Sequence, residues 1–193
     1  TTFDRECISS YCVTAMPEIV GIVPARAGSQ GIKNKNLLHI NKKHIIDLSL
    51  DTLRESFLID HIAISTNIRS ILERSWSGVK MIKRPDEYAL NESPIDQALI
   101  HAVTELESQE IHPDIVVWLQ PNVPIRETGI VDKVLTKLLD DKYASAAVTC
   151  KKLDPRIAWA KKMSPMGYLQ PVNPDCTEFR RQNLDDVYLA DGS

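Results

Sequence analysis

The sequence predicts an α/β fold built on a three-layer, mostly parallel sheet, and three observations carry that reading. Short apolar runs rich in β-branched residues alternate with longer stretches of helical periodicity. The first run, Ile19-Val20-Gly21-Ile22-Val23, is apolar without alternation, as a strand covered on both faces must be. Polar segments follow the strand ends, where an open parallel sheet gathers its ligand-binding loops.

The elements follow in order. The 19–23 run breaks at Pro24 into a polar loop containing Gly28 and Gly31. Leu48 to Leu58 has apolar spacing compatible with a helix, and 61–66 and 79–82 read as the second and third strands. Ile95, Leu99, Ala102, Val103 and Leu106 form an apolar stripe on a helix over 95–106. A buried strand over 114–119, a helix over 127–139 and a strand over 144–149 complete the series. Right-handed crossovers then bring 25–36, 84–93 and 120–126 to one end of the sheet. Residues 1–15 lack periodicity and read as an added or poorly ordered leader, with a genuine extension equally open, ahead of one domain over 16–193.

Composition narrows the function classes. The chain has 193 residues, 43% hydrophobic and 25% charged, which is ordinary globular usage. Its 23 Lys plus Arg against 26 Asp plus Glu give a net charge of −3, so nucleic acid and anionic membrane are not expected partners. No apolar stretch approaches the roughly 20 residues that span a bilayer. Cys7, Cys12, Cys150 and Cys176 form no Cys-x-x-Cys pair, which favours reduced thiols and a cytoplasmic setting. The five histidines are scattered without metal-site spacing.

The most informative segment is Pro24-Ala25-Arg26-Ala27-Gly28-Ser29-Gln30-Gly31-Ile32-Lys33-Asn34-Lys35-Asn36. Its glycines permit close backbone approach, and successive N–H groups in such a loop can cradle an anion. Arg26 can fork two oxygens, while Lys33 and Lys35 supply point charges. The segment is neither a Walker A loop nor a dinucleotide fingerprint. A solvated loop, with glycines for turns and lysines for solubility, accounts for the same residues.

Four ordered motifs add a resemblance. The 24–36 segment resembles the N-terminal signature of acylneuraminate cytidylyltransferases, the CMP-sialic acid synthetase family. Arg84-Pro85-Asp86-Glu87-Tyr88-Ala89 is similar to the family's Arg-Pro-x-x-Leu-Ala segment. Leu119-Gln120-Pro121-Asn122-Val123-Pro124-Ile125-Arg126 is similar to its Leu-Gln-Pro-Thr-Ser-Pro-Leu-Arg segment. Arg180-Arg181-Gln182-Asn183-Leu184, running on to Tyr188-Leu189-Ala190-Asp191-Gly192, resembles its sugar-site region.

The resemblance implies a nucleotide-diphospho-sugar transferase-like, Rossmann-like fold and a reaction of CTP with a nine-carbon 2-keto sugar acid. It implies that Arg26, Gly28, Ser29, Lys35, Asn36, Arg84 and Ser93 bind the nucleotide. Gln120, Arg181, Tyr188 and Asp191 would address the sugar, with Arg26, Lys35 and Gln120 as the catalytic set. It further implies a homodimer, with the proline-rich 154–180 stretch as a dimerisation arm. Mg²⁺ is the implied cofactor, and its Asp-x-Asp ligands are expected beyond Ser193, so no metal ligand and weak turnover are expected of these residues alone.

Some residues have plainer readings. Arg126 reads as a salt-bridge partner for its own loop or the next helix, and Asp185 and Asp186 as a solvated pair. Tyr168, Phe179 and Tyr188 read first as core packing. The sequence also departs from the family pattern: Gln30 stands at a usual Lys, Asn122-Val123 at Thr-Ser, and Asp191 at Asn. A nucleotide-binding or dimerisation module without catalysis is the alternative these departures suggest.

Overall fold

Strand β1 organises the molecule because its two faces and both its edges are occupied. The computed structural model describes residues 16–28, 32 and 35–191, so the expected leader and Ser29, Gln30, Gly31, Lys33 and Asn34 lie outside the described residues. In chain order the regular elements begin with β1 (Ile19–Ala25), β2 (His39–Ile40), β3 (Lys43–His44), α1 (Ile45–Arg54) and β4 (His61–Thr66). Next come α2 (Arg69–Leu72), β5 (Val79–Lys83), α3 (Ile95–Glu107), β6 (Ile115–Trp118) and α4 (Ile130–Asp140). The last are β7 (Cys150–Leu153), β8 (Lys161–Met163), β9 (Leu169–Pro171) and β10 (Val187–Ala190).

The main sheet is wholly parallel, in the order β5-β4-β1-β6. Alternate residues of β1 feed two cores. Ile19, Val23 and Ala25 pack with Ile46, Leu50 and Leu53 of α1 and Val131 and Leu135 of α4. Val20 and Ile22 pack with Ala102 and Leu106 of α3 on the other face. The result is the three-layer arrangement expected from the sequence. Chain order reverses at β1, which pairs with β4 on one edge and β6 on the other, so a crevice opens beyond the carboxyl ends of β1 and β6.

Gly21 lets α1 approach the sheet. A Cβ built on it would sit 2.7 Å from Leu53 Cδ2 and 2.8 Å from Cδ1, inside any tolerable contact, and Leu53 is fully buried. The residue is therefore fixed by close packing.

Several sequence expectations are corrected here. β1 continues through Pro24 to Ala25, because its rungs with β6 end at Ile22–Trp118 and the missing proline N–H falls past them. The helix expected over 48–58 spans 45–54 instead. It starts early because the tight β2–β3 turn, with Asn41 and Lys42 at φ 48° and 67°, delivers the chain to Ile45. There the Asp47 carboxylate accepts from the His44 N–H at 3.2 Å. It stops early because Ser56 and the Phe57 N–H bond to Asp132 of α4.

The strand expected over 144–149 is not a strand. Ala-Ser-Ala-Ala-Val-Thr has little β-branched bulk, and Val148 is 71% exposed. Pairing resumes only at β7, which joins β10 in an antiparallel ribbon separate from the main sheet. β8 and β9 form a second ribbon. No residue from 141 to 191 is buried. Tyr168, Phe179 and Tyr188 are accordingly exposed rather than packed in a core, because this stretch has no buried interior to receive them. Among the described residues, no helix is long and apolar enough to cross a membrane.

Candidate active site

The crevice set by the strand order is an open cleft of about 560 Å³. Its cationic side is formed by Arg26, Lys35 and Arg84, and its opposite wall by Trp118, Gln120 and Asn122. Asn36, Pro24, Pro121, Ile32 and Ile95 complete the lining. Among the described residues, three cations and no carboxylate line this space. A cleft of that charge attracts polyanions.

Arg84 is the most constrained of the three cations. It follows β5 directly, and its N–H donates to the Thr66 carbonyl at 2.8 Å, extending the ladder by one rung. The side chain is 3% exposed. Its Nε donates to Ser65 Oγ at 3.1 Å and Nη2 to the Ser65 carbonyl at 2.9 Å. Burial, and secondarily the charge of Arg26, push its pKa down to about 10. Among the described residues no ion pair neutralises it. A buried guanidinium held by neutral partners is one that an anion would complete.

Arg26 leaves β1 at the loop. Its Nη1 donates to the Ala89 carbonyl at 3.2 Å and to Asn91 Oδ1 at 2.8 Å, both neutral acceptors. Asn36 is buried, and its Nδ2 returns to the Arg26 carbonyl at 2.9 Å, closing the loop over residues 26–36. A second tether runs from the Ala27 N–H to Asn67 Oδ1 at 2.8 Å, and from Asn67 Nδ2 to Asp86 at 2.9 Å. Both ends of the loop are therefore held.

The structure brings together Arg26, Lys35, Asn36, Arg84 and Gln120, drawn from three distant stretches of chain. Gly28, at φ 74°, lies in the same loop but does not line the cleft. Ser93 donates to the Glu87 carbonyl at 2.7 Å, supporting the turn after Arg84. Ser29 lies outside the described residues. Arg181, Tyr188 and Asp191 are exposed on the β7–β10 side and do not line the cleft. Arg126 does not line it either, and hydrogen-bonds within its own loop and to α1.

Sequence reasoning missed Trp118, Asn67 and Asn91. Trp118, the last residue of β6, is 37% exposed and faces the cleft. An aromatic residue at the carboxyl end of a parallel strand was the available signal. Asn67 and Asn91 carried none, because their partners lie 40 and 65 residues away.

For Mg²⁺ the fit is poor. Among the described residues the lining contains no carboxylate, and no trio of His, Cys, Asp or Glu is gathered as a metal site. The described residues do not by themselves fit the ion, and the positive charge offered to a ligand comes from the arginines and Lys35.

Comparison with known proteins bears on the family and the fold. The chain is 27% identical over 132 residues to the N-acylneuraminate cytidylyltransferase of Escherichia coli O18:K1:H7, covering 65% of this chain and 30% of that protein. It is 28% identical over 177 residues to the mitochondrial 3-deoxy-manno-octulosonate cytidylyltransferase of Arabidopsis thaliana, covering 81% and 58%. The chain thus spans less than two thirds of the length of either relative. Among solved structures, CMP:2-keto-3-deoxy-manno-octonic acid synthetase complexed with CTP has a TM-score of 0.60 at 20% identity, covering 73% of this chain and 55% of that one. A 4-diphosphocytidyl-2C-methyl-D-erythritol synthase has a TM-score of 0.57 at 10% identity, covering 91% and 72%. Both share the nucleotidyltransferase fold. The cytidylyltransferase family profile matches residues 20–163, a stretch that contains every residue lining the cleft, and the chain belongs to that family.

Proposed function

We propose that the cleft binds the triphosphate of CTP and that the protein forms a CMP-sugar from a sialic-acid-like 2-keto sugar acid. The observation that carries this reading is the buried Arg84 facing the same space as Arg26 and Lys35, with no carboxylate among the described lining residues. In the proposed reaction the anomeric hydroxyl of the sugar attacks the α-phosphorus. A new P–O bond forms, the bond to the β-phosphate oxygen breaks, and the hydroxyl proton passes to solvent as pyrophosphate leaves.

The protein's share is alignment and charge stabilisation. Arg26 and Lys35 would take charge on the pyrophosphate, Arg84 would fix the nucleotide, and Gln120 would orient the sugar. The Arg181 region and the E. coli relative favour the nine-carbon acid, while the Arabidopsis relative favours 3-deoxy-manno-octulosonate. In a full-length version carrying the expected Asp-x-Asp ligands, pyrophosphate release with CTP, Mg²⁺ and N-acetylneuraminate, compared with 3-deoxy-manno-octulosonate, is expected to favour the first acid. Release only with the second would shift the substrate. CTP binding with no release from any 2-keto-3-deoxy sugar acid would sink the transferase reading.

That last outcome would select the second reading, a nucleotide-binding or dimerisation module without turnover. The exposure of Arg181, Tyr188 and Asp191 outside the cleft lining favours it.

A homodimer is part of the proposal. Residues 141–191 bury nothing, yet Met166, Phe179, Met163 and Tyr168 are 85%, 86%, 69% and 69% exposed. An apolar surface of that kind is explained by a partner, and a second copy is the one proposed. Light scattering is expected to give twice the chain mass, and F179D together with M166D should shift it toward the monomer. A wild-type monomer would overturn the dimer. The free thiols of Cys150 and Cys176 support a reducing, cytoplasmic setting.

A further inference from the structure

We propose that Arg126 is a positioning residue that sets the Gln120 wall of the cleft against the phosphate-binding side; the inference rests on the CTP reading above. Arg126 lies in the loop between β6 and α4 and is half-buried. Its Nη2 donates to the Gln120 carbonyl at 2.7 Å, and its Nη1 to Ser49 Oγ at 3.3 Å. The same Gln120 carbonyl accepts from the Val123 N–H at 3.2 Å, so one oxygen holds both a turn and the arginine.

Those partners sit on different parts of the fold. Ser49 is fully buried in α1, the helix that follows the 26–36 loop and the β2–β3 hairpin. Gln120 and Asn122 belong to the opposite wall. A planar guanidinium with several fixed donors can bridge two such acceptors, whereas a lysine ammonium cannot hold both in one plane. Burial lowers the pKa of Arg126, which the fold tolerates for a group whose donors are used inside the protein.

A salt bridge to its own loop or the next helix, the plain sequence reading, does not account for the bond to α1. The clamp does. It fixes where the Gln120 side chain enters the cleft relative to Arg26 and Lys35, and misplacement of a reacting group by about 1 Å costs on the order of a hundredfold in rate.

The test compares wild type, R126Q, R126K and S49A by calorimetric titration with CTP and by hydrogen–deuterium exchange, with circular dichroism as the fold control. R126Q is expected to weaken CTP binding about tenfold and to speed amide exchange over 119–126, with the melting curve still cooperative. R126K should recover part of both, and S49A should show a smaller change in the same direction. Unchanged affinity and unchanged local exchange in R126Q would overturn the proposal, as would a fall in melting temperature with neither local effect. If R126Q fails to fold, S49A and R126K decide on the same two readouts. If wild type binds no CTP while R126Q loosens 119–126 alone, the CTP reading fails and the clamp stands.

Discussion

Replacing Arg84 by methionine is expected to lower affinity for CTP about a hundredfold while leaving the fold almost as stable as before. The affinity loss follows from removing a charged fork that no other buried cation in the described lining can replace, since hydrogen bonds to charged groups are each worth about 1.5–3 kcal/mol. The stability term is a near balance. Losing the bonds to Ser65 Oγ and the Ser65 carbonyl costs about 1–3 kcal/mol. Against that, burial that pushes the guanidinium's pKa down to about 10 burdens the fold by on the order of a few kcal/mol at neutral pH. Methionine keeps an apolar stem and removes the charge.

The pH dependence has a definite sign. Below pH 10 both folded and unfolded chains carry the Arg84 proton, and the fold bears the full cost of burying the charge. Above about pH 10 the folded state releases a proton that the unfolded chain still keeps, so this group's contribution rises with pH. Urea midpoints of wild type minus R84M, taken at pH 8 and 10.5, should move upward. CTP binding by R84M within threefold of wild type would remove Arg84 from the site altogether.

The second large effect concerns packing. Gly21→Ala is expected to destabilise by about 1–3 kcal/mol, although alanine normally improves a strand. The new methyl would lie 2.7 Å from Leu53 Cδ2 in a fully buried core, so either the leucine leaves its rotamer or α1 lifts off the sheet. L53A alone should cost about 2–5 kcal/mol by opening a cavity. Combined, the two changes should cost less than their sum, because the methyl added at position 21 occupies space vacated by the leucine. Denaturant midpoints for the four-member cycle measure this. Strict additivity would mean that the two residues do not meet.

Much of this was legible from the residues, for reasons that differ by element. β1 and β6 were recoverable because a strand of a parallel sheet covered on both faces is written as an unbroken apolar run, and β4 and β5 because shorter apolar or alternating runs of β-branched residues mark the strands beside them. The loop at 24–36 was recoverable because cations and glycines cluster in one short stretch. The start of α1 was not, since it depends on a hairpin of only a few residues and on Asp47 finding the His44 N–H. The 144–149 stretch failed for another reason. Its alanines and serine give a strand little to hold it, and pairing also depends on a neighbouring edge that local sequence does not specify. Asn67, Asn91 and the reach of Arg126 to Ser49 are long-range hydrogen bonds, and no local pattern encodes their partners.

The position of β1 between β4 and β6 also bears on how the chain is made. Its first partner, β4, begins at His61, but its second edge stays unpaired until Ile115–Trp118 has been synthesised. At roughly 5–20 residues per second, that edge waits about 5–20 s on the ribosome. During the wait an Ile- and Val-rich strand shows a bare row of backbone donors and acceptors, the form most prone to pairing with another nascent chain. The same centrality that places the cleft therefore makes the emerging stretch from β1 to β6 a natural client for chaperones.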